Sequence, residues 1–300
     1  MKRRSFLQYT SLAGGLALLP WQKELLSLVL PEAGTMRPLR NNVGLYTERG
    51  GTIGWLIADG ALVVVDTQFQ EQSQNFINKV RETNEGQFDL LINTHHHGDH
   101  TSGNIAYEGM VKMHLAHANS KANQMRVAQQ RDSEEGQMYP GETYKDTWSK
   151  RVGSEVVTLR YFGPAHTDGD SIIHFENANV AHMGDLMFNR RFPYIDKSSG
   201  ASIENWIKVL GDARKTFDKD TLFIFGHSGE GYDVTGTLDD LKAMQHFFKR
   251  LLKFTKKSIK KGLSQEQVLE GLEIIPGAPE WTGGGIERNI SAAYQELGGE

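Results

Sequence analysis

With 300 residues, 38% of them hydrophobic, the chain is long enough for one large domain or two small ones around a real core. Its 33 Lys+Arg against 37 Asp+Glu leave a net charge of -4, too balanced for a nucleic-acid binder driven by phosphate neutralisation, so a small-molecule substrate fits better. The absence of cysteine excludes disulfides, thiolate metal ligands, a cysteine nucleophile and a lipid-modified cysteine anchor; any metal must be held by His, Asp or Glu.

At the amino terminus, Arg3-Arg4-Ser5-Phe6-Leu7-Gln8 sets a twin arginine before an apolar pair, and Leu12 to Leu19 is small and apolar. This pattern resembles a Tat export signal, with Sec-type export as the alternative route. Pro20, Lys23 and Glu24 interrupt the apolar run far short of the ~20 residues that span a bilayer, so no stable membrane span is expected once the signal is removed. No A-x-A cleavage site precedes Pro31; residues 1–34 are assigned to the signal, with the mature start between about residues 20 and 36, and 35–300 to the folded domain. The resemblance implies the Tat machinery as a partner, a periplasmic or otherwise exported location, and folding with any metal before export.

After Gly34 the pattern is mixed α/β. Thr52 to Ala58 and Ala61 to Asp66 are apolar, β-branched runs separated by Asp59-Gly60, which suits a tight hairpin turn and predicts two antiparallel strands. Residues 71 to 84, with Phe76, Ile77 and Val80 on one face, predict an amphipathic helix leading to a strand over Phe88 to Asn93. A short helix from Thr101, a strand near Val111 to Leu115 and a polar helix over Ala118 to Arg131 follow, and then a long loop over 132 to 150, read as a lid, a binding edge or a solvated connection. Strands resume at Glu155 to Phe162, Ser171 to Phe175 and Val180 to Met183, the last two joined by the turn Glu176 to Asn179. Residues 202 to 217 suit a helix and Thr221 to Phe225 a strand. The last third is helical, with an apolar stripe of Leu238, Leu241, Phe248, Leu251 and Leu252. Lys249, Lys253, Lys256, Lys257, Lys260 and Lys261 in the same stretch are read as a solvated face rather than a binding patch.

The informative segment is Asn93-Thr94-His95-His96-His97-Gly98-Asp99-His100, directly after an apolar strand. With 11 His in the chain, its His-x-His-x-Asp-His pattern would arise by chance in only on the order of one in a thousand such chains. On a loop at a strand end, His95 and His97 can grip one metal while Asp99 and His100 turn towards a second. Three further candidates stand where strands end, each beside a glycine: His166 in Gly163-Pro164-Ala165-His166-Thr167-Asp168-Gly169-Asp170, Asp185 in Met183-Gly184-Asp185, and His227 in Gly226-His227-Ser228-Gly229.

With Asp66 at the end of the second strand, these motifs appear in an order that resembles the metallo-β-lactamase superfamily across nearly all of residues 40 to 230. The resemblance implies an α/β fold, the four-layer αββα sandwich, here with a helical C-terminal extension. It puts a first metal on His95, His97 and His166 and a second on Asp99, His100 and His227, with Asp185 bridging. Asp66 would buttress the metal loop through hydrogen bonds; a strand-end turn cap is the plain alternative. His96 should point away from the metals. His114, His117, His174, His182 and His246 are read as packed or surface residues, with His117 and His182 the two to recheck.

The implied function is a binuclear metal-dependent hydrolase: a hydroxide shared by two metals attacks an ester, thioester, lactone or amide carbonyl, and Asp99 both binds the second metal and orients the nucleophile. Two Zn(II) per chain are the first expectation, with Mn or Fe admitted by the carboxylates. The Gly-Pro-Ala-His-Thr element is similar to the zinc β-lactamases, but Asp185 stands where they carry a cysteine, and Phe188 where they carry a lysine for the antibiotic's carboxylate. Asp185 in the bridging place looks more like glyoxalase II and the lactonases, although no glutathione-binding basic set is matched. Phe188, Arg190, Arg191 and Tyr194 form one wall of the pocket, with Arg190 or Arg191 meeting an anionic group, or else are ordinary packing and surface residues. A true β-lactamase, a di-iron oxidoreductase and a non-catalytic metal-binding protein are the alternatives. The di-iron flavoproteins would place a Glu at His97 and add a flavin module, and a nuclease is disfavoured by the weak net acidity.

Overall fold

The computed structural model describes residues 34–58 and 60–299, so the twin arginine, the apolar run after it and Asp59 of the hairpin turn lie outside the described residues. The first sheet begins with an antiparallel meander of β1 (Thr35–Arg40), β2 (Val43–Thr47), β3 (Ile53–Ala58) and β4 (Ala61–Val65). It continues in parallel through β5 (Leu90–Asn93), β6 (His114–His117) and β7 (Glu142–Tyr144). The connections carry α1 (Gln70–Arg81), the single turn α2 (Gly98–Thr101) and α3 (Ala118–Gln130).

The second sheet runs in the order β15-β13-β11-β10-β9-β8, built from β8 (Thr147–Val152), β9 (Glu155–Arg160), β10 (Ile172–Phe175), β11 (Val180–His182), β13 (Leu222–Ile224) and β15 (Thr235–Gly236). A separate two-stranded ladder pairs β12 (Phe188–Asn189) with β14 (His227–Ser228). The remaining helices are α4 (Ile203–Thr216), α5 (Leu238–Lys260), α6 (Gln265–Leu269) and α7 (Ile286–Glu296). No helix among the described residues is long and apolar enough to cross a membrane.

The layering follows from strand periodicity. Every residue of β4 is buried because its two faces meet different layers. Val63 and Val65 join Val157, Leu159, Ile173 and Phe175 between the sheets, while Leu62 and Val64 pack on Phe76, Ile77 and Val80 of α1. On the far side Ile172, Ala181 and Phe223 meet Trp206, Leu210, Leu241 and Phe248 of α4 and α5. Helix, sheet, sheet, helix is the expected four-layer sandwich, and α5 to α7 form its helical carboxy-terminal extension.

Two differences from the sequence reading have a common cause. The expected loop over 132 to 150 holds β7 and the start of β8, and β1 and β2 precede the first expected strand. Of these, β1, β7 and β8 are sheet edges that expose one or both faces, so polar residues occupy them and the apolar alternation that marks a buried strand is missing, whereas the short β2 is buried. Within α5, by contrast, Leu241, Phe248 and Leu251 are buried while all the lysines noted above are exposed, the solvated face expected of them.

Candidate metal centre

Both sheets deliver their functional residues at one rim. Asp66 follows β4, Thr94 to His100 follow β5, His166 lies between β9 and β10, Asp185 follows β11, and His227 opens β14 after β13. The carboxyl ends of parallel strands are where an open sheet leaves a crevice. Gly226 is required there because a Cβ would collide with Asp185 Oδ1, and at Gly51 a Cβ would collide with the ring of His100.

Three imidazoles converge first. His97 Nδ1 lies 3.1 Å from His95 Nε2 and 2.9 Å from His166 Nε2. Their outer nitrogens are all engaged as donors: His166 Nδ1 to the Tyr194 carbonyl at 2.7 Å, and His97 Nε2 to Asp196 at 2.9 Å. Thr94 Oγ1 donates to Asp66, so it accepts from His95 Nδ1 at 3.0 Å. Each inner nitrogen therefore presents a lone pair to the same point.

Beside them Asp99, His100 and His227 form a second group of possible ligands. His227 Nε2 is 3.1 Å from Asp99 Oδ2, and His100 donates from Nδ1 to Asp66 at 2.7 Å, which turns its Nε2 inward. Asp185 stands between the groups: its Oδ1 faces His100 at 3.0 Å and His227 at 3.4 Å, while its Oδ2 faces His166 at 3.6 Å and His95 at 3.9 Å.

The residues fit a cation better than they fit one another. His100 Nε2 and Asp185 Oδ1 are buried and close, yet neither has a hydrogen-bond partner. Orphaned polar atoms at that depth are costly, and a positive ion between them satisfies both. Burial, with help from His97, lowers the His166 pKa to about 3 and so keeps that ring a neutral ligand. At His227 burial opposes the charge, but Asp185 and Asp99 outweigh it and raise the pKa to about 9. The metal-free site thus holds a proton on His227 at neutral pH that a cation must displace. Metal loading at pH 7 is expected to release protons into a weak buffer, with affinity rising as pH approaches about 9; loading without proton release would contradict this.

Asp66 has no exposed surface and accepts from Thr94 N at 2.8 Å and Thr94 Oγ1 at 2.7 Å as well as from His100. One carboxylate therefore braces both ends of the metal loop. Asp196 was not singled out by its sequence context. It accepts from His97, Ser198 and the Ser199 amide, and those bonds hold its carboxyl well below the usual range against the opposing effect of burial. Its only local signal is a turn-capping Asp-Lys-Ser-Ser run, which says nothing about a histidine far away in the chain.

The remaining histidines stand outside the two ligand groups, although His96, whose ring lies 4.4 Å from that of His97, could join His97 and Asp196 in a third. His96 turns to Ser199, 3.2 Å away; His114 meets Asn93, and His117 stacks on Tyr161 and bonds the Lys145 carbonyl. His182 donates to Thr52 O and accepts from Gly184 N, bracing the turn that carries Asp185. His174 packs on Phe217, and His246 bonds Gly277 O.

Among the wall residues, Phe188 is buried and stacks on His227 at 5.2 Å. Arg190 pairs with Asp240 at 2.7 Å and lies against Tyr232 and Trp281, so its charge is engaged within the fold. Arg191 is exposed, and its backbone bridges to Thr282. Tyr194 is 40% exposed, and its ring is 5.3 Å from that of His97, which sets it at the edge of the cluster.

An αββα sandwich whose rim gathers histidines and aspartates into adjoining groups defines a class of metal-binding folds. The chain belongs to the metallo-beta-lactamase superfamily, whose family model matches residues 46–227. Metallo-beta-lactamase IND-1 of Chryseobacterium indologenes is 22% identical over 199 residues, 63% of this chain and 80% of that protein. Among solved structures, a double mutant of the sec-alkyl sulfatase PisA1 aligns with a TM-score of 0.67 at 14% identity, covering 88% of this chain; this chain spans 50% of the sulfatase's length. Metallo-beta-lactamase IND-7 aligns with a TM-score of 0.58 at 19% identity, over 71% of this chain and 98% of its own.

Proposed function

We infer that this protein is a metal-dependent hydrolase holding two cations, which cleaves an ester, thioester, lactone or amide bond of a small molecule. The observation that carries the reading is the position of Asp185, whose two oxygens face separate groups of ligands. His95, His97 and His166 would hold one cation and Asp99, His100 and His227 the other, with Asp185 shared; zinc suits the donors, and manganese or iron is admitted by the carboxylates. Bound there, such ions supply Lewis acidity and lower the pKa of water towards neutrality.

Asp99 then has a distinct task. Burial raises its pKa, but His100 and His227 outweigh that and bring it down to about 2, so the carboxylate is ionised at neutral pH. It is also 32% exposed, more open than the other ligands, and can orient an attacking water and take up its proton. The names of the related proteins include β-lactamases and an alkyl sulfatase, so the superfamily cleaves more than one kind of bond. Phe188, buried against His227, sets no cation on that wall of the site, so an anionic group of the substrate has to be met elsewhere.

Metal-replete protein is expected to contain close to two metals per chain. It should turn over at least one class in a screen of lactones, thioesters, carboxylic esters, sulfate esters, phosphodiesters and β-lactams. Metal-free protein after such expression, or inertness towards every class, would overturn the reading.

We also infer that Arg3 and Arg4 open a Tat signal that delivers the protein to the periplasm or beyond. Replacing both arginines by lysine is expected to retain the protein in the cytoplasm, and undiminished export would reject the route.

A further inference from the structure

The carboxy-terminal helix reaches the mouth of the metal centre. The buried Asn289 side chain of α7 donates to the Pro193 carbonyl at 2.8 Å, one residue before Tyr194. At its other end Glu296 pairs with Lys197 at 2.5 Å and accepts from Ser202 at 3.0 Å. Helix α7 is thereby fastened at both ends to the segment that supplies the Tyr194 carbonyl to His166 and the Asp196 carboxylate to His97. This attachment sets the Arg288 guanidinium over the Tyr194 ring, 5.5 Å from its centroid, while the His97 ring packs on the same tyrosine at 61°.

Arg288 is exposed and, among the described residues, has no carboxylate or hydrogen-bond partner. A guanidinium with no ion-pair partner among the described residues therefore lies over an aromatic ring at the threshold, whereas Arg190, nearer in sequence to the metal ligands, is paired with Asp240.

We propose that the substrate carries a carboxylate or similar oxyanion apart from its scissile bond, and that Arg288 binds this group beside Tyr194. The proposal rests on the hydrolase reading for the direction in which the substrate lies. A planar guanidinium already braced on an aromatic face gives up little freedom when it binds an oxyanion, so it favours an anion at this position.

The test is calorimetric titration of the metal-loaded protein with glutaric acid monoanilide and with its neutral primary amide, which differ only in the charge of the distal group. The anion is expected to bind about tenfold more tightly than the neutral amide, the strength of one charge-assisted hydrogen-bonded contact. Arg288→Ala should abolish that preference, and Arg288→Lys should keep part of it. Lys219→Ala, which removes an exposed charge before the opposite end of β13, should leave it unchanged. Equal affinities in the unaltered protein, a preference that survives Arg288→Ala, or an equal loss for both compounds would overturn the proposal. Turnover of the matched phenyl esters is read separately, so a failed hydrolase reading appears as inert esters with the binding preference intact.

Discussion

Replacing Asp99 by asparagine is expected to lower kcat about a thousandfold while the protein stays folded. Asparagine matches aspartate in shape, and the position is partly open to solvent, so packing is barely disturbed. The chemistry changes far more. At neutral pH the aspartate is a carboxylate facing His227 at 3.1 Å and His100 at 3.8 Å, whereas an amide can neither take up a proton from water nor donate negative charge to a cation. Steady-state kinetics with metal analysis separate these losses: full metal content with collapsed turnover assigns the proton task, and lost metal assigns ligation. Turnover within tenfold of the original with both metals bound would remove Asp99 from the chemistry.

A second large effect is expected from Asp66→Ala, and here the fold should suffer as well. Asp66 accepts from a backbone amide, a hydroxyl and an imidazole, all buried, and alanine would leave those donors without a partner. At about 1–3 kcal/mol for each of the three orphaned groups, the loss should reach about 3–9 kcal/mol, a large part of the stability of an ordinary domain. The backbone adds to it, because Asp66 holds φ at 62°, a left-handed conformation that aspartate and asparagine tolerate better than alanine does. Freed of its acceptor, His100 no longer has a fixed tautomer, and metal affinity should fall about 10- to 100-fold. Denaturant unfolding and competition with a chelator measure the two losses. Asp66→Asn should sit between, keeping the backbone conformation while reversing part of the hydrogen bonding. An unchanged unfolding midpoint in Asp66→Ala would make Asp66 a mere turn residue.

The sandwich and much of the cluster were legible because their signals are local. Buried strands such as β4 and β5 announce themselves as apolar runs, and the His95 to His100 segment concentrates ligands within a single turn of chain. His166, Asp185 and His227 could be found because each follows an apolar strand and adjoins a tight glycine turn or close approach. Edge strands β7 and β8 were not legible, since solvent on an exposed face removes the alternation. Asp196 was invisible for another reason: its partner His97 lies 99 positions away, and nothing near Asp196 marks it as more than a turn. Arg190 stands close to Asp185 in sequence, but its pairing with Asp240, 50 positions away, is a contact that nothing local announces.

By itself, then, the sequence determined the inventory of donors, their order along the chain and the strand ends from which they project, because residue type and short-range periodicity are enough to specify these. Only the tertiary structure decided which nitrogen of each ring faces inward, how the two oxygens of Asp185 are divided, and which arginine lies over Tyr194 while Arg190 is held by Asp240. Those outcomes depend on the carbonyl of Tyr194, the carboxylates of Asp66, Asp196 and Asp240, and the docking of α7. Each is a contact between distant segments, and such contacts exist only after the core has packed and fixed the distances between them.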